Sequence, residues 1–149
     1  MRSNVLILVV FLFIAMHGCQ AQRYSGEYAE YKVYKSLKKA LKNKSQVKVL
    51  QLHNKELKEF PMDVLELKGL KILSFYNNEL TEIPDGIDQL CNLERLELMK
   101  NELSSLPKSI VNLKRLKRIN IAYNGMSEQD VEFIKQALPN CTIITTIIL

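Results

Sequence analysis

The chain has 149 residues, 47% of them apolar, and 21 Lys+Arg against 16 Asp+Glu give a formal charge of +5. That length suits one domain with its own core, and a modest positive balance without a reading motif argues against nucleic acid as a partner. Three cysteines are too few for a disulfide-built scaffold.

The first element is not part of the fold. Met1 to Asn4 carries one positive charge, and an apolar run follows from Val5 to Ala15. That run falls short of the roughly 20 residues that span a bilayer. A basic start, a short apolar run and a small-residue exit describe a secretory signal peptide. Met16-His17-Gly18-Cys19 resembles a bacterial lipoprotein box, in which the cysteine becomes the acylated first residue of the mature chain. This reading is preferred; it sets the signal at residues 1–18, lipidation at Cys19, and the site of residence at the bacterial cell envelope. His17 departs from the usual small residue, so cleavage after Ala21, with a signal of 1–21 and a secreted product, is the alternative.

Residues 19–46 follow as a linker and helical cap. Tyr24, Tyr28, Tyr31, Tyr34, Leu37 and Leu41 fall at three- and four-residue steps, which predicts an amphipathic helix. Ser36 is an alternative start for a second, shorter helix. The other face carries Lys32, Lys35, Lys38, Lys39, Lys42, Lys44 and Lys48, with no acid from 32 to 48. Such a run is first a solvated face. Next to an acylated Cys19 it would also support a membrane contact, at roughly 1 kcal/mol per residue on an anionic surface.

From Val47 onward the chain repeats. Val47, Leu70, Leu93 and Leu116 stand 23 residues apart, and four segments covering 47–138 align on them. Leu50, Leu73, Leu96 and Ile119 occupy one shared position; Leu52, Phe75, Leu98 and Ile121 occupy the next. In an extended segment two residues spaced by one point to the same face, so each repeat offers one apolar face that only its neighbours can bury. Asn78, Asn101 and Asn124 follow the strands, where an amide side chain satisfies backbone groups as the chain turns. Repeat one has Lys55 there, which accepts no hydrogen bond, so the asparagine series starts at repeat two. Pro61, Pro84 and Pro107 then end extended pairing. The pairs Val64/Leu67, Ile87/Leu90 and Ile110/Leu113 suit 3₁₀-like turns.

The pattern L-x-x-L-x-L-x-x-N-x-L resembles the leucine-rich repeat family, in the 23-residue form with L-P-x-x-I-x-x-L on the outer side. The resemblance implies an α/β fold, a short right-handed solenoid with a parallel sheet on its concave surface. It also implies protein recognition through that surface.

The last elements close the series. Ser127 with Asp130 resembles a capping box, Val131, Ile134 and Leu138 form a helical stripe, and Pro139-Asn140 stops the helix. Residues 139–149 contain "TIITTIIL", a final strand whose facing is ambiguous because both alternating sets contain Ile. Helix and strand together make a C-terminal cap. Cys91 and Cys141 fall about two repeats apart, past the roughly 7 Å Cα limit for a disulfide, so two separate, mostly buried thiols are expected.

Catalytic signals are weak. His53 is the only histidine after the signal, and Gln51 and Ser74 fall near it on the sheet, a thin basis for a hydrolase. No metal-ligand spacing and no cofactor motif occurs in the sequence. The residues interleaved with the core leucines form three columns across the repeats: Val49, Ile72, Arg95, Arg118; Gln51, Ser74, Glu97, Asn120; and His53, Tyr76, Met99, Ala122. Exposed Ile72, Tyr76 and Met99 would form an apolar patch of the kind that marks a binding surface. The expected function is therefore non-catalytic binding of a protein or peptide on the concave face. The alternative is a structural, envelope-organising protein that self-assembles through its caps.

Overall fold

The computed structural model describes residues 28–146. The signal peptide, Cys19 and Tyr24 lie outside the described residues. The chain divides into two compact units, Met1–Tyr31 and Lys32–Leu149. In the first, Tyr31 N–H donates to the Tyr28 carbonyl at 3.3 Å, and the two rings stand 6.3 Å apart.

The second unit is built on a parallel sheet of six strands whose spatial order follows the chain: β1 Val33–Tyr34, β2 Val49–Gln51, β3 Ile72–Ser74, β4 Arg95–Glu97, β5 Arg118–Asn120 and β6 Thr142–Ile144. The 23-residue spacing sets the register, so Leu50, Leu73, Leu96 and Ile119 stand side by side. All four are fully buried, as are Phe75 and Leu98 at the next core position.

Pro61, Pro84 and Pro107, each extended, open the 3₁₀ turns Met62–Glu66, Asp85–Gln89 and Lys108–Asn112 on the return path. Val64/Leu67, Ile87/Leu90 and Ile110/Leu113 drop from these turns into the core. A strand on one side and a turn on the other thus sandwich one apolar layer per repeat, and stacking makes that layer continuous.

The asparagines act as expected. Asn101 Nδ2 donates to the carbonyls of Leu98 (2.9 Å) in its own repeat and Phe75 (3.0 Å) in the preceding one. Its Oδ1 accepts from the Leu80 N–H at 3.1 Å. Asn78 and Asn124 bind the preceding repeat in the same way, and Lys55 itself donates its backbone N–H to Asn78.

The N-terminal segment departs from the expected helix. Among its described residues the α-helix is confined to α1, Leu37–Leu41, with a 3₁₀ turn at Lys44–Gln46 after it; Ser36 is the N-cap of α1, its Oγ accepting from the Lys39 N–H at 3.5 Å. Val33 and Tyr34 instead pair in parallel with Val49 and Leu50. The edge of β2 presents backbone groups that need partners, and a β-branched and an aromatic residue favour the extended form that supplies them. Tertiary pairing overrides the helical spacing of the tyrosines.

At the other end, α2 spans Glu128–Ala137 behind the predicted capping box. Asp130 N–H donates to Ser127 Oγ at 3.1 Å, and the Asp130 carboxylate accepts from the Ser127 N–H at 3.3 Å. Ile134 and Leu138 enter the core. Strand β6 pairs with β5 so that Ile143 stands beside Ile119 and packs on the core, while Ile144 stands beside Asn120 on the opposite face. This resolves the facing. The two thiols are unpaired, but Cys91 is exposed and Cys141 only half-buried. Cys91 follows the last turn of the second 3₁₀ segment, on the return path rather than in the apolar layer, which corrects the expectation of buried thiols.

Candidate functional site

The sheet face turned away from the core carries the three predicted columns in register. Val49, Ile72, Arg95 and Arg118 align across β2 to β5, and so do Gln51, Ser74, Glu97 and Asn120. The third column, His53, Tyr76, Met99 and Ala122, lies just past the strand ends. Parallel pairing continues there, with Asn54 N–H on the Tyr76 carbonyl (3.2 Å) and Lys100 N–H on the Ala122 carbonyl (3.0 Å).

Register does more than align these residues; it makes them cover one another. Neighbouring strands lie only about 4.8 Å apart, so each side chain is walled by those at its own level. Val49 and Ile72 are fully buried, and Ser74, Glu97, Asn120 and Ala122 are nearly so. Ile72 is therefore not the exposed anchor that its place in the pattern suggests: Val49 flanks it on one side and Arg95 on the other. Gln51, His53, Tyr76, Met99, Arg95 and Arg118 are half-buried and form what remains accessible of the columns.

Two local clusters follow. In one, His53 Nε2 and Ser74 Oγ share a 2.6 Å hydrogen bond, and the Tyr76 ring meets the His53 ring edge-on at 5.6 Å. Lys100 Nζ lies 5.8 Å from the centre of the Tyr76 ring, in cation–π range. Burial, assisted by the positive charge of Lys35, holds His53 below its ordinary pKa of 6.5. A neutral imidazole leaves Nε2 free to accept from the serine hydroxyl, while Ser74 Oγ also accepts from the Tyr76 N–H at 3.4 Å. In the other cluster, burial raises the Glu97 pKa against the opposing effects of the Asn120 hydrogen bond, Arg118 and Arg95. Asn120 Nδ2 also reaches Met99 Sδ at 3.7 Å.

Among the described residues, no acid is seen to extend the Ser–His pair into a relay. Glu97 is in register with Ser74 on β4, across Ser74 from His53, so it is not placed behind the imidazole to orient it. Ser74 is only 1% exposed, which shuts its hydroxyl from a substrate. The pair locks side chains in place. Among the described residues no cluster of three His, Cys, Asp or Glu side chains is placed to hold a metal ion.

Two features of the site escaped the sequence pattern. Asn54, Asn77, Lys100 and Tyr123 recur every 23 residues with φ between 53° and 58°, the left-handed region. Asparagine tolerates that conformation, and Asn54 and Asn77 carry the readable signal; Lys100 and Tyr123 do not. This kink brings Lys100 beside Tyr76. The second feature is Glu94, 6% exposed and held between Lys71 (3.1 Å) and Lys117 (2.5 Å) of the adjoining repeats.

A family model for the leucine-rich repeat region matches residues 27–143. The chain belongs to the leucine-rich repeat family. A solved leucine-rich repeat protein of Leptospira interrogans is 40% identical, with a TM-score of 0.63, over 66% of this chain and 25% of its own. Two internalins of Listeria monocytogenes share the fold. One is 19% identical at a TM-score of 0.58, over 68% of this chain and 28% of its own. The other, internalin C2, is 21% identical at 0.56, over 68% and 43%. The chain thus spans about a quarter of the length of the Leptospira protein. Among curated proteins none matches the chain.

Proposed function

We propose that this chain is a non-catalytic, exported and lipid-anchored leucine-rich repeat module that captures a protein or peptide on the concave face of its sheet. The observation that carries the reading is the His53–Tyr76–Lys100 cluster beside Met99. Two aromatic or heteroaromatic rings in edge contact and a thioether lie half-buried on one face, with the exposed Lys100 over one of the rings. Pre-positioned aromatic groups bind at low entropic cost, and such anchors dominate interface energetics. The neighbouring Arg95 and Arg118, beside the buried Glu97, add positive charge to the same face.

Export and anchoring rest on the segment before the fold: the apolar run from Val5 to Ala15 and Gly18-Cys19. Labelled fatty acid should enter the wild-type chain and not Cys19→Ala; equal labelling would remove the anchor from the account. Binding is tested separately. Affinity capture from native envelopes, with mass spectrometric identification, should recover a partner with the wild-type chain and lose most of it with Tyr76→Ala/Met99→Ala.

A second reading, assembly through the ends, is favoured by one observation. Among the described residues, strand β6 is the last in the sheet order and pairs on one side only, with β5. Under that reading sedimentation shows size rising with concentration and Ile144→Lys abolishes the rise. Under the binding reading the isolated chain sediments the same at every concentration.

A further inference from the structure

We propose that the concave face releases its partner on acidification, with the imidazole of His53 as the trigger; this control rests on the binding proposed above. Lys35, His53, Tyr76 and Lys100 follow one another along the sheet, with Ser74 beneath the two rings.

The backbone of this row is fixed. Leu52 and Asn54, on either side of His53, donate their N–H groups to the carbonyls of Ser74 (2.8 Å) and Tyr76 (3.2 Å). Asn77 Nδ2 donates to Asn54 Oδ1 at 2.7 Å, which ties the two kinked positions together. A change of charge in the row is therefore answered by side chains.

The hydrogen bonds of Ser74 make the row sensitive to one proton. With a neutral imidazole, the Ser74 hydroxyl donates to His53 Nε2 across 2.6 Å, and its oxygen accepts from the Tyr76 N–H at 3.4 Å. Histidine is the side chain whose ordinary pKa lies between pH 5 and 8. A proton on Nε2 turns that atom into a donor. The serine hydroxyl then loses its acceptor, and among the described residues Ser74 Oγ has no other partner to turn to. Ser74 is buried, and a buried donor without an acceptor is costly. The half-buried imidazolium relieves that cost by rotating towards solvent, which lets water reach Ser74. Tyr76 then loses the ring it meets edge-on, and an anchor that must be ordered on binding gives up affinity.

Charge acts in the same direction. Burial and, after it, Lys35 already disfavour the imidazolium, and Lys100 Nζ is a second cation beside Tyr76. The other proton acceptor on this face is Glu97, on β4 across Ser74 from His53 and flanked by Arg95 and Arg118; burial raises its pKa. A test must separate the two.

The full chain is immobilised, and the fraction of native envelope protein followed is that retained at about pH 7.5 by the wild type and not by Tyr76→Ala/Met99→Ala. Washing to about pH 5 should release most of it, an affinity loss of about tenfold. His53→Gln, which stays neutral, should hold the fraction at both values. Glu97→Gln should release it as the wild type does, and Lys35→Gln should release it at a higher pH. If His53→Gln does not bind at about pH 7.5, Lys35→Gln decides. Circular dichroism should show the wild type folded at both values. Retention by the wild type at about pH 5 would overturn the switch and leave the binding reading standing. So would release from His53→Gln, loss of release in Glu97→Gln, an unmoved midpoint in Lys35→Gln, or unfolding of the wild type. A wild-type chain that retains no such fraction at about pH 7.5 would remove the binding reading and the switch together.

Discussion

At the scale of single residues, the molecule depends on side chains that replace backbone partners. Asn101 satisfies three main-chain groups in two repeats with one amide. Each buried group left unpaired costs about 1–3 kcal/mol, so Asn101→Ala should destabilise the fold by about 3 kcal/mol, read from the urea midpoint at unchanged slope. His53 gives a second prediction. Its folded pKa is lowered below 6.5, so the unfolded chain takes up the proton first as pH falls. This group leaves stability unchanged well above 6.5, then lowers it as pH drops from 6.5 through the folded value, where the loss levels off. His53→Gln should flatten that part of the stability–pH curve. A curve identical to that of the parent would show that the imidazole is not held neutral.

Among elements, the repeat itself was legible and its junctions were not. The 23-residue period, the paired core leucines and the three prolines each impose a physical requirement wherever they occur, so strands β2 to β5 and the 3₁₀ turns follow from them. β1 does not, because the tyrosine spacing reads as helix and only the open edge of β2 makes extended pairing win. Tyr123 shows the same limit, for nothing in an exposed tyrosine announces a left-handed backbone imposed by the stack. Glu94 was unreadable for a related reason: its partners Lys71 and Lys117 lie one repeat away on either side and look like ordinary surface lysines. This bridge ties three repeats together. Glu94→Gln should therefore cost about 1 kcal/mol, whereas the exposed pair Lys58–Glu79, 3.9 Å apart, should tolerate Glu79→Gln within about 0.5 kcal/mol.

For the whole molecule, the three columns were readable as a surface, but their accessibility was not. Alternation predicts which side chains leave the core; it does not predict that Val49 and Ile72 are covered by their own neighbours. The surface proposed for binding narrows to Gln51, His53, Tyr76, Met99 and the two arginines, with Lys100 beside the Tyr76 ring. What matters for binding is whether that surface, rather than the return-path turns, holds the partner. The most direct measurement is the affinity of the captured partner for the wild-type chain, for Tyr76→Ala/Met99→Ala, and for Met62→Ala, which alters an exposed residue of a 3₁₀ turn. The account predicts at least about a tenfold loss for the first variant and a change within about twofold for the second. Unchanged affinity in Tyr76→Ala/Met99→Ala, with a loss in Met62→Ala, would contradict it.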